Sequence, residues 1–98
     1  MPWNGTTGFY YAEQSIIANA PAASGVYAIY REGQWIYIGE SGSIRDRLLE
    51  HIRRQENQCI VRSSPTHFAY ELVGAAYRVQ RQNELIAELR PSCNQMFG

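Results

Sequence analysis

A few residues in this chain have the types and spacing to do chemistry. Arg47 and His51 are four apart, so on a helix they share a face, one turn from each other. An arginine so placed can grip a phosphate, and a histidine beside it can take or give a proton near neutral pH. Tyr27 and Tyr37 lie within two short aromatic and β-branched runs, GVYAIY and WIYIG. Side by side across a hairpin they form half of a site, or else they are ordinary cross-strand packing. Gln82 interrupts the apolar stripe that Val79, Ile86 and Leu89 mark on the last helical segment. A polar residue in such a stripe needs a partner or a purpose.

The elements that position these side chains are legible in outline. Residues 25–30 and 34–39 read as strands, with Gly33 at the turn between them. A three-residue turn, Arg31-Glu32-Gly33, pairs Tyr30 with Gln34 and sets Tyr27 opposite Tyr37. A two-residue turn, Glu32-Gly33, moves the register by one and sends the two rings to opposite faces. A shared site selects the three-residue turn. Ser43 to Asp46 looks like a capping box opening a helix, and Ile44, Leu48 and Ile52 are its apolar stripe. Arg47 and His51 then sit at the rim of the buried face.

Elsewhere, residues 11–19 predict a short helix stopped by Pro21, and residues 57–66 a polar loop. Residues 66–73 predict a third strand, and residues 75–90 a helix ended by Pro91. The order α-β-β-α-β-α predicts an α+β fold, a small three-stranded sheet flanked by helices, in a single domain over residues 1–98. On the last helix Glu84 falls roughly 200° around from Gln82, onto the far face.

Composition narrows the classes. The chain has 98 residues, 45% hydrophobic and 18% charged, enough for one modest core. No apolar run is long enough to span a bilayer, so no membrane partner is expected. The opening MPWNGTTGFYYAE lacks the pattern of a secretory signal, and the reading is cytoplasmic. Cys59 and Cys93 lie far apart without a partner pattern, which predicts two reduced thiols. The net charge is zero, but its distribution is uneven. Residues 1–44 carry one Arg against three Glu, and residues 45–62 carry five Arg against three acids. All nine basic residues are Arg, whose planar fork suits phosphate oxygens.

Taken together, these residues resemble the GIY-YIG endonuclease family. Gly25-Val26-Tyr27 and Tyr37-Ile38-Gly39 resemble its two naming motifs. Gly39, Arg47 and His51 follow its Y-[IV]-G-x7-R-x3-H spacing, and NELIAELRPSCN resembles its closing helix and trailing Pro-x-x-Asn, here Pro91 to Asn94. The match runs from about Gly25 to Asn94. The resemblance implies cleavage of DNA phosphodiester bonds with one divalent metal, Mg²⁺ or Mn²⁺. It implies that Tyr27 and Tyr37 line the site and that one of them helps activate water. Arg47 is implied to stabilise charge on the phosphate, His51 to assist proton transfer or hold Tyr27, and Asn94 to support the site. Arg45, Arg53 and Arg54 are the expected contacts to the nucleic-acid backbone.

The chain departs from that pattern at one position. The family's metal ligand is a Glu four residues before the Ile of the closing Leu-Ile pair, and counting back from Ile86 gives Gln82. A hard dication favours an anionic oxygen over an amide. The readings are an engineered Glu→Gln change, a slow or inactive member that still binds nucleic acid, or a carboxylate supplied from elsewhere. Three functions follow. The first is a metal-dependent DNA endonuclease, structure-specific or nonspecific in its substrate. The second is an inactive module that binds nucleic acid or assembles with a protein partner or a second copy. The third is an interaction domain with no nucleic-acid role.

Overall fold

The computed structural model describes residues 8 to 94. Along them run β1 (Phe9–Tyr10), α1 (Glu13–Asn19), β2 (Gly25–Arg31), β3 (Gln34–Ser41), α2 (Ile44–Arg54), α3 (Gln58–Arg62), β4 (His67–Leu72) and α4 (Arg78–Leu89). Short 3-10 turns cover Ala75–Tyr77 and Ser92–Asn94. The sheet has four strands in the order β1-β4-β2-β3, and every pairing is antiparallel. The expected three-stranded sheet is therefore one strand short. Phe9 and Tyr10 pair with Phe68 and His67 on the outer side of β4. Two residues are too few to show a periodicity, so the sequence carries no strand signal there.

Strand alternation sends β2 side chains to two separate cores. Tyr27 and Ile29 join Ile16, Ile44, Leu48, Ile60 and Phe68 on the face covered by α1, α2 and α3. Val26 and Ala28 join Ile38, Ala69 and Leu85 on the face covered by α4. The central strand is buried on both faces, which accounts for its unbroken run of apolar residues from Val26 to Ile29.

The hairpin register corrects the expectation. Arg31 pairs with Gln34, so the turn is the two-residue Glu32-Gly33, with Gly33 at φ 77°. Tyr27 lies opposite Gly39, and Ile29 opposite Tyr37. The register slips between Ile29 and Tyr30, where Ile36 is the extra residue of β3. This bulge restores what the shorter turn removes. Trp35 packs into the α4 core, Ile36 and Tyr37 both turn to the opposite core, and Ile38 returns to the α4 core. Tyr27 and Tyr37 thus share a face as diagonal neighbours.

Two further expectations change. Residues 57–66 contain α3, where the Asn57 side chain accepts from the Ile60 amide at 3.2 Å and Ile60 is buried. The stripe of α4 runs through Leu85, Ile86 and Leu89, while Val79 is 56% exposed. The first turns of that helix are held by charge instead. Arg78 Nε donates to Glu40 at 2.8 Å, and Arg81 Nε to Glu71 at 2.9 Å.

The expected free thiols are a correction as well. Cys59 and Cys93 form a disulfide, 5.7 Å between Cα atoms and 34 residues apart in sequence. Folding brings α3 beside the C-terminal turn, a proximity that cysteine spacing alone does not reveal. No described helix is long and apolar enough to cross a membrane.

Candidate functional site

Three rings from three elements meet on the α2 face of the sheet. The ring centroids of Tyr27 and Tyr37 are 6.2 Å apart, those of Tyr27 and His51 5.7 Å, and those of Tyr37 and His51 5.4 Å. Gly39 makes room for this cluster. A Cβ added there would stand 2.5 Å from the Tyr27 hydroxyl oxygen, so only glycine lets that ring lie across β3. The helix carrying His51 starts where Ser43 accepts from the Asp46 amide at 3.4 Å, and it is anchored by the buried Ile44 and Leu48.

Tyr27 Oη lies 2.8 Å from His51 Nε2. Burial is the main cause that pushes the Tyr27 hydroxyl far above the ordinary phenol range. Tyr37 adds to the shift, and the nearby Arg47 charge opposes it. Burial and then the Arg47 charge lower His51 from its usual 6.5 to about 4. At neutral pH His51 is therefore uncharged and Tyr27 holds its proton. In the tautomer with its hydrogen on Nδ1, Nε2 carries the lone pair that accepts from the tyrosine. These affinities keep the proton on the phenol at rest, so the imidazole takes it only as the Tyr27 oxygen receives another.

A cleft of about 130 Å³ opens beside this pair, lined by Tyr37, Arg47, Glu50, His51, Glu56 and Asn57. Arg47 is ion-paired with Glu50 one turn on, and both side chains are well exposed. An exposed pair of this kind is worth about 0–1 kcal/mol. A phosphate, which an arginine fork engages through two oxygens, can displace that carboxylate. Sequence reasoning passed over Glu50, Glu56 and Asn57. Glu50 was findable from its i+3 relation to Arg47, and Asn57 from its helix-capping type.

Asn94 stands at the outer edge of β3. Its Oδ1 accepts from the Ile38 amide at 2.8 Å, and its Nδ2 donates to the Ile38 carbonyl at 3.0 Å. It thus satisfies both edge groups of the residue between Tyr37 and Gly39, as a strand would.

The remaining candidates are placed elsewhere. Arg45 Nε donates to the Ala20 carbonyl at 2.9 Å and ties α2 to the end of α1. Arg53 pairs with Glu13 at 2.5 Å, and Arg54 lies 3.9 Å from Glu56. Arg53 and Arg54 line a shallow groove with Asp46, Leu49 and Glu50 on the outer side of α2. Gln82 is half-buried on α4, donates to Asn83 at 3.4 Å, and is not among the residues lining the cleft.

The resemblance implies a divalent cation, and the chemistry of the donors decides whether one fits. Position 82 offers a neutral carboxamide where a carboxylate is implied. Glu40 is engaged by Arg78, Glu71 and Glu84 by Arg81, and Glu50 by Arg47. Among the described residues no three His, Cys, Asp or Glu side chains gather as metal ligands. This donor set does not fit Mg²⁺ or Mn²⁺, which take anionic oxygens.

No protein-family model matches the chain, and no curated protein matches it. Solved structures do. The magnesium-bound GIY-YIG N-terminal endonuclease domain of UvrC from Thermotoga maritima is 24% identical, with a TM-score of 0.70. That match covers 83% of this chain and 93% of that one. Two tyrosine-to-phenylalanine point mutants of the same domain, each bound to its catalytic divalent cation, match at 24% and 23% identity. Both have a TM-score of 0.70 and cover 83% of this chain and 92% of theirs. The chain has the GIY-YIG nuclease-like fold.

Proposed function

We propose that this GIY-YIG-type domain acts on the phosphodiester bonds of DNA in the cytoplasm, with the proton-handling half of its site built and the cation half reduced. One observation carries the reading: the 2.8 Å contact from the buried Tyr27 to an uncharged His51, which lines a cleft that Arg47 also lines. A DNA phosphate takes Arg47 from Glu50. A water held beside Tyr37 gives its proton to the Tyr27 oxygen while Tyr27 passes its own to His51 Nε2. The hydroxide attacks phosphorus, the guanidinium offsets charge growing on the phosphoryl oxygens, and the leaving oxygen is protonated from solvent. With an amide at position 82, Arg47 carries that charge alone, so cleavage is slow and DNA binding is the more prominent property.

The test is nicking of supercoiled plasmid in Mg²⁺ and in Mn²⁺ by this chain and by Gln82→Glu. The variant should nick about 100-fold faster, the scale of one well-placed electrostatic group. If a folded Gln82→Glu protein nicks no faster than buffer, the nuclease reading fails. Gln82 itself favours the second reading, a binding module on a nuclease fold. That reading then stands if affinity for DNA falls steeply with salt and Arg47→Ala weakens it.

A further inference from the structure

The Cys59–Cys93 bond ties α3, whose cap lies at the cleft, to the C-terminal turn that clamps β3. Cys59 belongs to α3, whose cap Asn57 lines the cleft next to Glu56. Cys93 precedes Asn94, which holds the Ile38 amide and carbonyl at 2.8 and 3.0 Å. Ile38 in turn separates Tyr37, in the cleft, from Gly39, under the Tyr27 ring. We propose that this disulfide is a redox-controlled positioning bond. Closed, it holds Asn94 on β3 and Asn57 at the cleft, and opened by a dithiol reductant it releases both. The bond's effect on activity rests on the reading of the cleft as a DNA site, whereas its effect on Ile38 and Asn94 does not.

The exchange has a defined direction. Cys59 is half-buried, whereas Cys93 is 2% exposed, so a reductant thiolate reaches the Cys59 sulfur. The Sγ–Sγ bond breaks, a mixed disulfide forms on Cys59, and Cys93 leaves as a thiolate. The second thiol of the reductant closes its own ring and frees Cys59. Two electrons and two protons pass from the dithiol to the protein pair. Ser92 Oγ donates toward Cys93 Sγ at 3.9 Å while accepting from Gln34 Nε2 at 3.2 Å, so a polarised hydroxyl faces the leaving sulfur. In a reducing compartment a disulfide is characteristically of this responsive kind.

The experiment follows the whole chain through dithiothreitol reduction and reoxidation. Thiols are counted with a chromogenic reagent, far-UV circular dichroism reports the fold, and ¹⁵N NMR reports the Ile38 amide and the Asn94 side chain. Gln82→Glu supplies the nicking readout. Two thiols should appear on reduction with the circular dichroism retained. The Ile38 and Asn94 resonances should move, nicking should fall about tenfold or more, and reoxidation should reverse all of it. Unmoved resonances, two free thiols in the oxidised protein, or complete loss of the fold on reduction each overturn the proposal. Moved resonances in a Gln82→Glu protein that never nicks DNA support the positioning bond and count against the nuclease reading.

Discussion

Arg47 on α2 and Arg81 on α4 each meet a glutamate, and the two pairs differ in geometry and exposure. Arg47 and Glu50 lie three residues apart on one helix, with 46% and 39% of their side chains exposed. Arg81 reaches from helix to sheet through two hydrogen bonds to Glu71, of 2.9 and 3.0 Å, with 19% and 15% exposed. The first pair is weak and leaves its guanidinium free to exchange partners. The second is a bidentate strut, costly to break from one side. Arg47 on α2 can thus take a new partner, whereas Arg81 on α4 fastens a helix. Gln82 belongs to the fastening face, one residue from Arg81 and four from Arg78. At the position where the resemblance implies a carboxylate, the chain carries an amide amid structural ion pairs.

Removing the proton path on the chemical face should give the largest effect. Tyr27→Phe in the Gln82→Glu background deletes the hydroxyl and leaves His51 Nε2 without its donor. Nicking should fall by about 10²–10⁴-fold, the range of a positioned acid-base group. Affinity for plasmid, read by electrophoretic shift, should change less than about threefold. Undiminished nicking would move the proton path off Tyr27 and erase the contrast between the two faces.

The fastening face should answer in stability. Arg81→Ala removes both hydrogen bonds to the half-buried Glu71, and because the pair is not fully buried the cost should be about 2 kcal/mol, or roughly 10 °C in Tm. Urea and thermal unfolding measure it. The nicking rate of the folded fraction in the Gln82→Glu background should not change. A large drop in rate at unchanged stability would mean that Arg81 belongs to the chemistry.

How far these roles were legible in the sequence follows from the range of the interactions. Arg47 and His51 share a face by helix geometry alone, and the Ser43 cap fixes where that helix starts. The shared face of Tyr27 and Tyr37 is legible in the sequence, but the two-residue turn and bulge that produce it are not. A bulge at Ile36 is set by the packing of that residue into the α1–α2 core, which a strand-by-strand reading does not contain. Strand β1 is two residues long and exists because Phe9 has Phe68 and Tyr70 to pack on, at centroid distances of 5.5 and 6.2 Å. The apolar type of Val79 points inward, but ion pairs to Glu40 and Glu71 hold the helix's first turns and leave it exposed. The Asn94 clamp and the disulfide join residues 56 and 34 positions apart, beyond any local pattern.

A smaller effect separates the faces by pH. His51 titrates near 4 in the fold against an ordinary 6.5, so the unfolded chain takes the proton first. Stability is complete above about pH 6.5 and declines as pH falls toward 4. Allowing for the solvent-facing side of the ring, the loss is on the order of 1–2 kcal/mol. His51→Gln should flatten that limb in urea titrations at pH 7 and pH 4.5, whereas Arg81→Ala should leave its shape intact. If His51→Gln keeps the full slope, the acid sensitivity lies in other groups.

The smallest effect concerns the exchange of partners that the chemical face depends on. Glu50 now occupies Arg47, and with Glu56 it makes the cleft wall acidic. On the proposed reading a DNA phosphate displaces that carboxylate, at a cost bounded by the worth of an exposed pair, about 0–1 kcal/mol. Glu50→Gln removes the competitor and one repelling charge while keeping the shape of the side chain. Binding to a short fluorescent duplex should tighten about two- to fivefold in 50 mM salt, read by anisotropy. The gain should shrink in 500 mM salt, where screening weakens both the repulsion and the pair. Weaker binding by the variant would mean that Glu50 holds Arg47 in its working position. The Arg47–Glu50 pair would then be a strut like Arg81–Glu71, and the two faces would differ in exposure but not in kind.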